Sequence, residues 1–149
     1  MTAFRIELPN VQDAVQTAIN AQLETAAEEI TCGFGHPGPD MSDREIWVDA
    51  DFEAELPRYI SGGHLRDEAG VVKVKALITA IVGSWQDLRD DALDLVGCVE
   101  DAIEADSTLD GLVDRAEVRK AEGTGGYLDE RRRQYGVTVS VVYECSANS

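Results

Sequence analysis

Histidine and cysteine, which most often bind zinc, are few in this chain, with two histidines and three cysteines. Both histidines, and the cysteine nearest to one of them, lie in or next to stretches that predict loops. Cys32 and His36 are four positions apart in a segment dense in glycine and proline. A tetrahedral zinc site needs two further ligands of the right type. His64 and Asp67 lie in a second predicted loop, and nothing in the sequence brings the two loops together. We therefore expect no metal site.

Residue sets for nucleophilic or acid–base catalysis are equally hard to find. Both histidines fall in predicted loops, and the Gly-x-Ser-x-Gly turn that exposes a catalytic serine is missing. The stretch Gly123-Thr-Gly-Gly126 lacks the lysine and the strand-to-helix setting of a phosphate-binding loop, and we interpret it as a hairpin tip. Acidic residues are so numerous that no pair stands out as general acid and base. The sequence predicts neither an enzyme nor a cofactor.

The net charge and the cysteines narrow the class of protein further. The 149 residues include 29 acidic and 13 basic ones, a formal net charge of −16. Proteins that read DNA aim Lys and Arg at phosphates, so sequence-specific DNA binding is not expected. Apolar runs are too short for a membrane span, and the start lacks a signal peptide, so we expect a cytoplasmic product. A secreted disulfide framework is not expected from three distant cysteines: Cys32, Cys98 and Cys145.

Basic residues are concentrated in the last third of the chain. Six of the thirteen fall between positions 115 and 133, whereas none occurs between Arg5 and Arg44. Two main interpretations remain open, a solvated cationic hairpin and a hairpin that docks on the acidic helices of an identical neighbour; nucleic-acid contact has the least support. With one tyrosine, these residues form the predicted subunit or partner interface: Arg115, Arg119, Lys120, Tyr127, Arg131, Arg132 and Arg133.

The sequence predicts two amphipathic helices. Apolar residues recur at three- and four-residue steps over about residues 11–32, with Asn10 as the N-cap and Gly33 as the stop. Ser84, with Asp87 three positions later, predicts a capping box at the start of a second helix. The predicted core stripe of that helix includes Trp85, Leu88, Val99 and Ile103.

Alternation of apolar and polar residues predicts four strands. The pattern is clear over residues 46–52 and 72–82, which form a predicted antiparallel hairpin. It is looser over residues 112–121 and clean again over 137–143, which predicts a second hairpin.

The order α-β-β-α-β-β predicts a single α+β domain over residues 1–149. One mixed or antiparallel sheet of about four strands, with both helices packed on one face, would bury every apolar stripe. Mobile loops are predicted near residues 33–43, 57–70 and 122–129.

The stretch Ala105-Asp-Ser-Thr-Leu-Asp-Gly-Leu-Val113, directly after the second helix, resembles the tail terminator proteins of long-tailed bacteriophages. In that family a helix ending in Asp-x-Thr-Leu-Gly-Gly leads into a strand, and a final strand like residues 135–143 closes the sheet. The opening helix, Gly/Pro-rich loop and hairpin also fit the family layout, so the resemblance spans nearly the whole chain in element order. Asp110 stands where the family favours glycine, and Asp tolerates turn backbone nearly as well.

The resemblance implies a virion protein of the tail or neck, assembled in the host cytoplasm. It implies a homohexameric ring that ends tail-tube growth and joins the tail to the head. The implied partners are further copies of the chain, the major tail tube protein and a head–tail connector or stopper protein. Genome DNA would only pass through the lumen, and no membrane is involved. Two alternatives stay open: another neck or tail-completion protein of the same fold, and an acidic inhibitor that mimics DNA.

Overall fold

A computed structural model describes residues 7–38, 43–55 and 66–147. The elements in chain order are α1 (Leu8–Thr25), β1 (Cys32–Phe34), β2 (Arg44–Glu55), β3 (Arg66–Ala80), α2 (Trp85–Ala105), β4 (Arg115–Tyr127) and β5 (Arg133–Ala147). The five strands form one sheet in the order β1-β2-β3-β5-β4, in which β1 is parallel to β2 and all other neighbours are antiparallel. The predicted α+β class is confirmed, with five strands in place of about four.

One face of the sheet carries both helices and the hydrophobic core. Successive strand residues point to opposite faces, so every second residue of β3 and β5 joins the core. Each such side chain that is fully buried contributes about 1.5–3 kcal/mol relative to exposure. The core residues of these two central strands are Val72, Val74, Ala76, Ile78, Val137, Val139, Val141, Tyr143 and Cys145.

Helix α1 begins and ends earlier than the periodicity predicts. Asn10 lies inside the helix, and its amide donates to the Glu7 carboxylate, so it is not the N-cap. The helix ends at Thr25, because Ala27 adopts a left-handed conformation with φ of 57°. The Ala27 amide donates to the Glu24 carbonyl, and the Glu28 amide donates to the Leu23 carbonyl. These are the two hydrogen bonds of a Schellman motif. The prediction that Gly33 stops the helix is therefore wrong.

Part of the loop predicted at residues 33–43 is a strand. β1 pairs with Ile46–Val48 and is held by polar side chains of α1. The Asn20 side chain accepts from the Cys32 amide at 2.6 Å and donates to its carbonyl at 3.1 Å, and Gln16 donates to the same carbonyl. Residues 39–42 lie outside the described part of the chain, and so do residues 57–65 of the loop predicted at 57–70. The remainder of that second loop, residues 66–70, belongs to β3.

The capping box predicted for α2 is confirmed. The Ser84 hydroxyl accepts from the Asp87 amide at 3.1 Å, and the Asp87 carboxylate accepts from the Ser84 amide at 3.0 Å. Of the predicted core stripe, Leu88, Val99 and Ile103 are buried, whereas Trp85 is only half-buried.

The turn after α2 uses three consecutive residues with positive φ: Leu109, Asp110 and Gly111. Leu109 is buried and anchors the turn to the core. The Asp110 amide donates to the Asp106 side chain at 3.0 Å, which holds the left-handed backbone at this position. An aspartate thus adopts the conformation for which glycine is usually chosen.

The hairpin tip predicted at residues 122–129 is wrong up to Tyr127, which is the last residue of β4. Gly123 and Gly125 lie within the strand, where aromatic rings cross it closely. A Cβ on Gly123 would lie 2.8 Å from the Tyr135 hydroxyl, and one on Gly125 would lie 3.1 Å from the Trp85 ring. The glycines therefore make room for rings and do not form the turn, which occupies residues 128–132.

Candidate interaction surfaces

The seven predicted interface residues occupy two separate surfaces. Arg115, Arg119 and Lys120 lie at the start of β4, and we refer to them as the basic edge. Tyr127 and residues 131–133 lie at or beyond its end. At roughly 3.3 Å per residue, the ends of this strand are about 40 Å apart. The cluster in the sequence is thus not one patch on the molecule.

Every cation of the basic edge is paired with an acid of its own strand. Glu117 accepts from Arg115 at 2.6 Å and also from Arg119, while the Lys120 ammonium lies 2.6 Å from Glu122. The hydrogen bond from Arg119, then that from Arg115, lowers the pKa of Glu117. The hydrogen bond to Glu122 raises the pKa of Lys120. Because these groups are exposed, the pairs add little to stability and serve mainly to orient the cations.

β4 is an edge strand of 13 residues. It pairs with β5 on one side and has no strand partner on the other among the described residues. All side chains from position 119 to position 131 are exposed. A long free edge presents unpaired N–H and C=O groups on which another chain can add a strand.

An exposed apolar surface lies at the far end of the sheet. Its two turns, at residues 81–84 and 128–132, are tied together because the Arg133 guanidinium donates to the Gly83 carbonyl. The same guanidinium lies 5.3 Å from the Trp85 ring centroid, and Trp85 meets Tyr127 edge-on with centroids 5.6 Å apart. Val82 is 79% exposed and Tyr127 71%. We define the apolar end as Ile81, Val82, Tyr127 and Leu128.

Asp129 organises the turn beside the apolar end. Its carboxylate accepts from the amides of Arg131 and Arg132 at 2.9 and 2.8 Å, and from the Arg132 guanidinium at 2.8 Å. These bonds, with the Arg132 amide foremost, lower the pKa of Asp129 to about 2. Arg132 and Arg133 therefore have structural partners. The Arg131 guanidinium has none among the described residues and stays available to a partner protein.

The sheet face opposite the helices holds a hollow of 680 Å³. Val71 and Val142 form part of its floor. Glu53 and Glu55 line it on the β2 side, and the basic edge contributes Arg115 and Arg119 on the β4 side. The two borders of the hollow thus carry opposite charge.

The residues considered for chemistry have other roles in the described structure. Cys32 is buried, and burial raises the pKa of its thiol to about 12, which leaves it protonated and unreactive. The His36 ring packs against Trp47 with centroids 5.3 Å apart, and its Nδ1 accepts from the Gly38 amide at 2.9 Å. Within residues 7–38, 43–55 and 66–147, no three His, Cys, Asp or Glu side chains are grouped to hold a metal. His64 lies outside those residues.

Neither helix in the described part of the chain is long and apolar enough to cross a membrane.

Comparison with known proteins yields only weak likeness to solved structures. No protein-family model matches the sequence, and no curated protein matches it. Among solved structures, a chain from the virion of a native gene transfer agent particle is similar over 90% of this chain and 94% of that one. The TM-score is 0.37 and the sequence identity is 9%. A likeness this weak establishes neither a shared fold nor a shared function.

Proposed function

We propose that this chain is a structural protein of a phage virion, and more specifically a tail terminator that caps the tail tube as a ring of identical subunits. The observation that carries the proposal is the apolar end. Ile81 and Val82 are exposed in one turn, Tyr127 and Leu128 are exposed where β4 meets the other, and the bond from Arg133 to the Gly83 carbonyl ties the two regions together. Large apolar side chains exposed at one end of a molecule mark protein contacts. The proposal assigns the chain no catalytic activity.

The terminator role is supported by the resemblance in residues 105–113. That stretch follows α2 directly and forms a tight turn with positive φ at Leu109, Asp110 and Gly111, after which β4 begins. The local structure therefore suits the helix–turn–strand sequence that the resemblance implies.

Charge distribution supports contact between copies. Residues 115–133 include six basic and four acidic residues, a formal charge of +2, so the rest of the chain carries −18. A cationic hairpin on a strongly acidic molecule attracts the acidic surface of a second copy, and such complementarity sets register in an assembly. A DNA mimic would gain nothing from this hairpin or from the apolar end. In this proposal the basic edge meets neighbouring subunits, and the apolar end meets the major tail tube protein.

The test is binding to the ends of tail tubes assembled from the tube protein of the same phage. Electron microscopy should show rings on tube ends with the parent chain, and Val82→Asp should reduce end occupancy at least about tenfold, as loss of a contact worth 1.4 kcal/mol or more does. Leu93→Asp is the matched control, because Leu93 is exposed on α2, away from the apolar end. A parent chain that remains monomeric and leaves tube ends bare would refute the proposal. Binding to a basic DNA-binding protein instead would favour the mimic.

A further inference from the structure

The two outer edges of the sheet differ in formal charge: β4 carries three cations and two acids, whereas residues 50–55 of β2 carry three acids and no cation. The basic edge lies on β4. At the opposite side β1 covers β2 only along Ile46–Val48, and acids alternate with other residues beyond that point. No Lys or Arg occurs between Arg44 and Arg58. We define the acidic edge as Asp51, Glu53 and Glu55, all of which are exposed.

Both edges are available for pairing in the described structure. Residues 50–55 have no strand on their outer side among the described residues. Asp51, Glu53 and Glu55 make no hydrogen bond or ion pair there either, in contrast to Asp49, which lies 3.6 Å from the Lys75 ammonium. A bulge between Val48 and Phe52 marks where this free stretch begins.

The register of the sheet aligns the two edges. Three antiparallel steps separate β2 from β4, so these strands run in opposite directions. A second copy placed beside β4 in the same orientation therefore presents its β2 antiparallel to it, with Glu55 beside Arg115. One row of paired residues across the sheet reads Glu55, Ala69, Glu144 and Arg115.

We propose that β4 of one copy pairs with residues 50–55 of β2 in the next, so that the sheet continues from subunit to subunit. This inference rests on the proposed ring and names the surfaces that close it. Joining two different edges of one molecule is a head-to-tail contact, which closes into a ring when the rotation between successive copies brings the last copy back to the first. The same register places the neighbour's Glu53 beside Glu117, so Arg115 and Arg119, which flank and bond Glu117, must also bond Glu53. Each guanidinium has five N–H donors, enough to serve both sides.

Two charge-reversed variants test the pairing by light scattering at about 0.1 M salt. The first carries Arg115→Glu and Arg119→Glu, and the second carries Glu53→Arg and Glu55→Arg. Each alone places like charges at both edges and should associate at least about tenfold more weakly than the parent. An equimolar mixture should associate like the parent, because alternating copies again match a basic edge with an acidic one. Arg89→Glu on α2 is the control for added negative charge away from both edges, with a change of −2 against −4 in the first variant.

The second variant separates local pairing from general repulsion. Its formal charge is −12 against −16 for the parent, so repulsion alone predicts stronger association, whereas edge pairing predicts weaker association. Stronger association, or a mixture that is not restored, would overturn edge pairing while leaving the ring intact. A parent chain that never associates would overturn both proposals.

Amide hydrogen exchange of the parent chain gives a readout that does not depend on how the variants fold. Assembly should slow exchange in β4 and in residues 50–55 together. Unchanged exchange in either segment of the assembled protein would overturn the pairing.

Discussion

Glu68 shows how single residues position the elements of this fold. It is 4% exposed, and its two carboxylate oxygens accept from different parts of the chain. One accepts from the Tyr143 hydroxyl at 2.5 Å, and the other accepts from the Glu7 amide at the start of α1 at 2.8 Å. Gly70 makes the arrangement possible, because a Cβ there would lie 2.6 Å from the Tyr143 ring. Burial, followed by the bond to Glu68, raises the pKa of Tyr143, so the hydroxyl keeps its proton and donates.

We expect Tyr143→Phe to lower the free energy of unfolding by about 1–3 kcal/mol, because it removes one donor from a buried carboxylate. Urea denaturation followed by circular dichroism measures the change. Tyr127→Phe is the control and should have almost no effect, since Tyr127 is exposed and no hydrogen bond of its hydroxyl is seen among the described residues. If the free energy of unfolding falls by the same amount in both variants, the hydrogen bond from Tyr143 to Glu68 does not stabilise the fold.

The sequence predicted the helix and strand boundaries that neighbouring residues determine, and it missed those that depend on distant residues. The start of α2 was predictable because Ser84 and Asp87 form a capping box within one turn. The end of α1 was not, because Ala27 ends it in a conformation that is unusual for alanine. β1 is too short for a periodicity, and tertiary bonds from Asn20 hold it. Gly123 and Gly125 were predicted to form a turn, because the sequence does not show that the rings of Tyr135 and Trp85 cross the strand at these positions.

The candidate site was predicted in part for the same reason. The clustering of basic residues predicted an interface on the β4–β5 hairpin. It did not predict that Arg115 and Tyr127 lie at opposite ends of a 13-residue strand. Val82 was predicted to lie in a strand because it continued the alternation, whereas β3 ends at Ala80 and leaves it exposed in the turn. The Gly83-Ser84 pair directly after it was the available signal of that turn.

Ala27→Gly should stabilise the protein by about 1 kcal/mol, because glycine adopts the left-handed conformation without the steric cost that alanine incurs. Ala21→Gly provides the opposite comparison. Ala21 is exposed inside α1, where glycine costs about 0.5–1 kcal/mol relative to alanine. Thermal unfolding of both variants should therefore shift the melting temperature in opposite directions. A lower melting temperature for Ala27→Gly would mean that the Schellman motif does not end α1 in solution.

At the scale of the whole molecule, association must overcome repulsion between acidic subunits. Six copies would concentrate −96 formal charges in one annulus, from −16 each. Salt screens exposed charges over about 10 Å at 0.1 M, and it weakens both the attraction between edges and the larger general repulsion. Because acids outnumber bases 29 to 13, we expect repulsion to dominate at about 0.01 M salt, where charges act over about 30 Å, so that raising the salt concentration to about 0.1 M promotes association. Light scattering across a salt series should show the mean mass rising; a steady fall would mean that attraction between edges dominates.

Native mass spectrometry of the purified protein at moderate salt shows whether the chain forms a closed ring. One chain weighs 16.2 kDa, so a ring of six would appear at about 97 kDa. We predict a single dominant assembly of that mass and no series of larger species, because a head-to-tail contact that closes leaves no free edge for growth. A 16.2 kDa monomer at every concentration and salt level, or open-ended growth without a dominant mass, would mean that the chain does not form a closed ring.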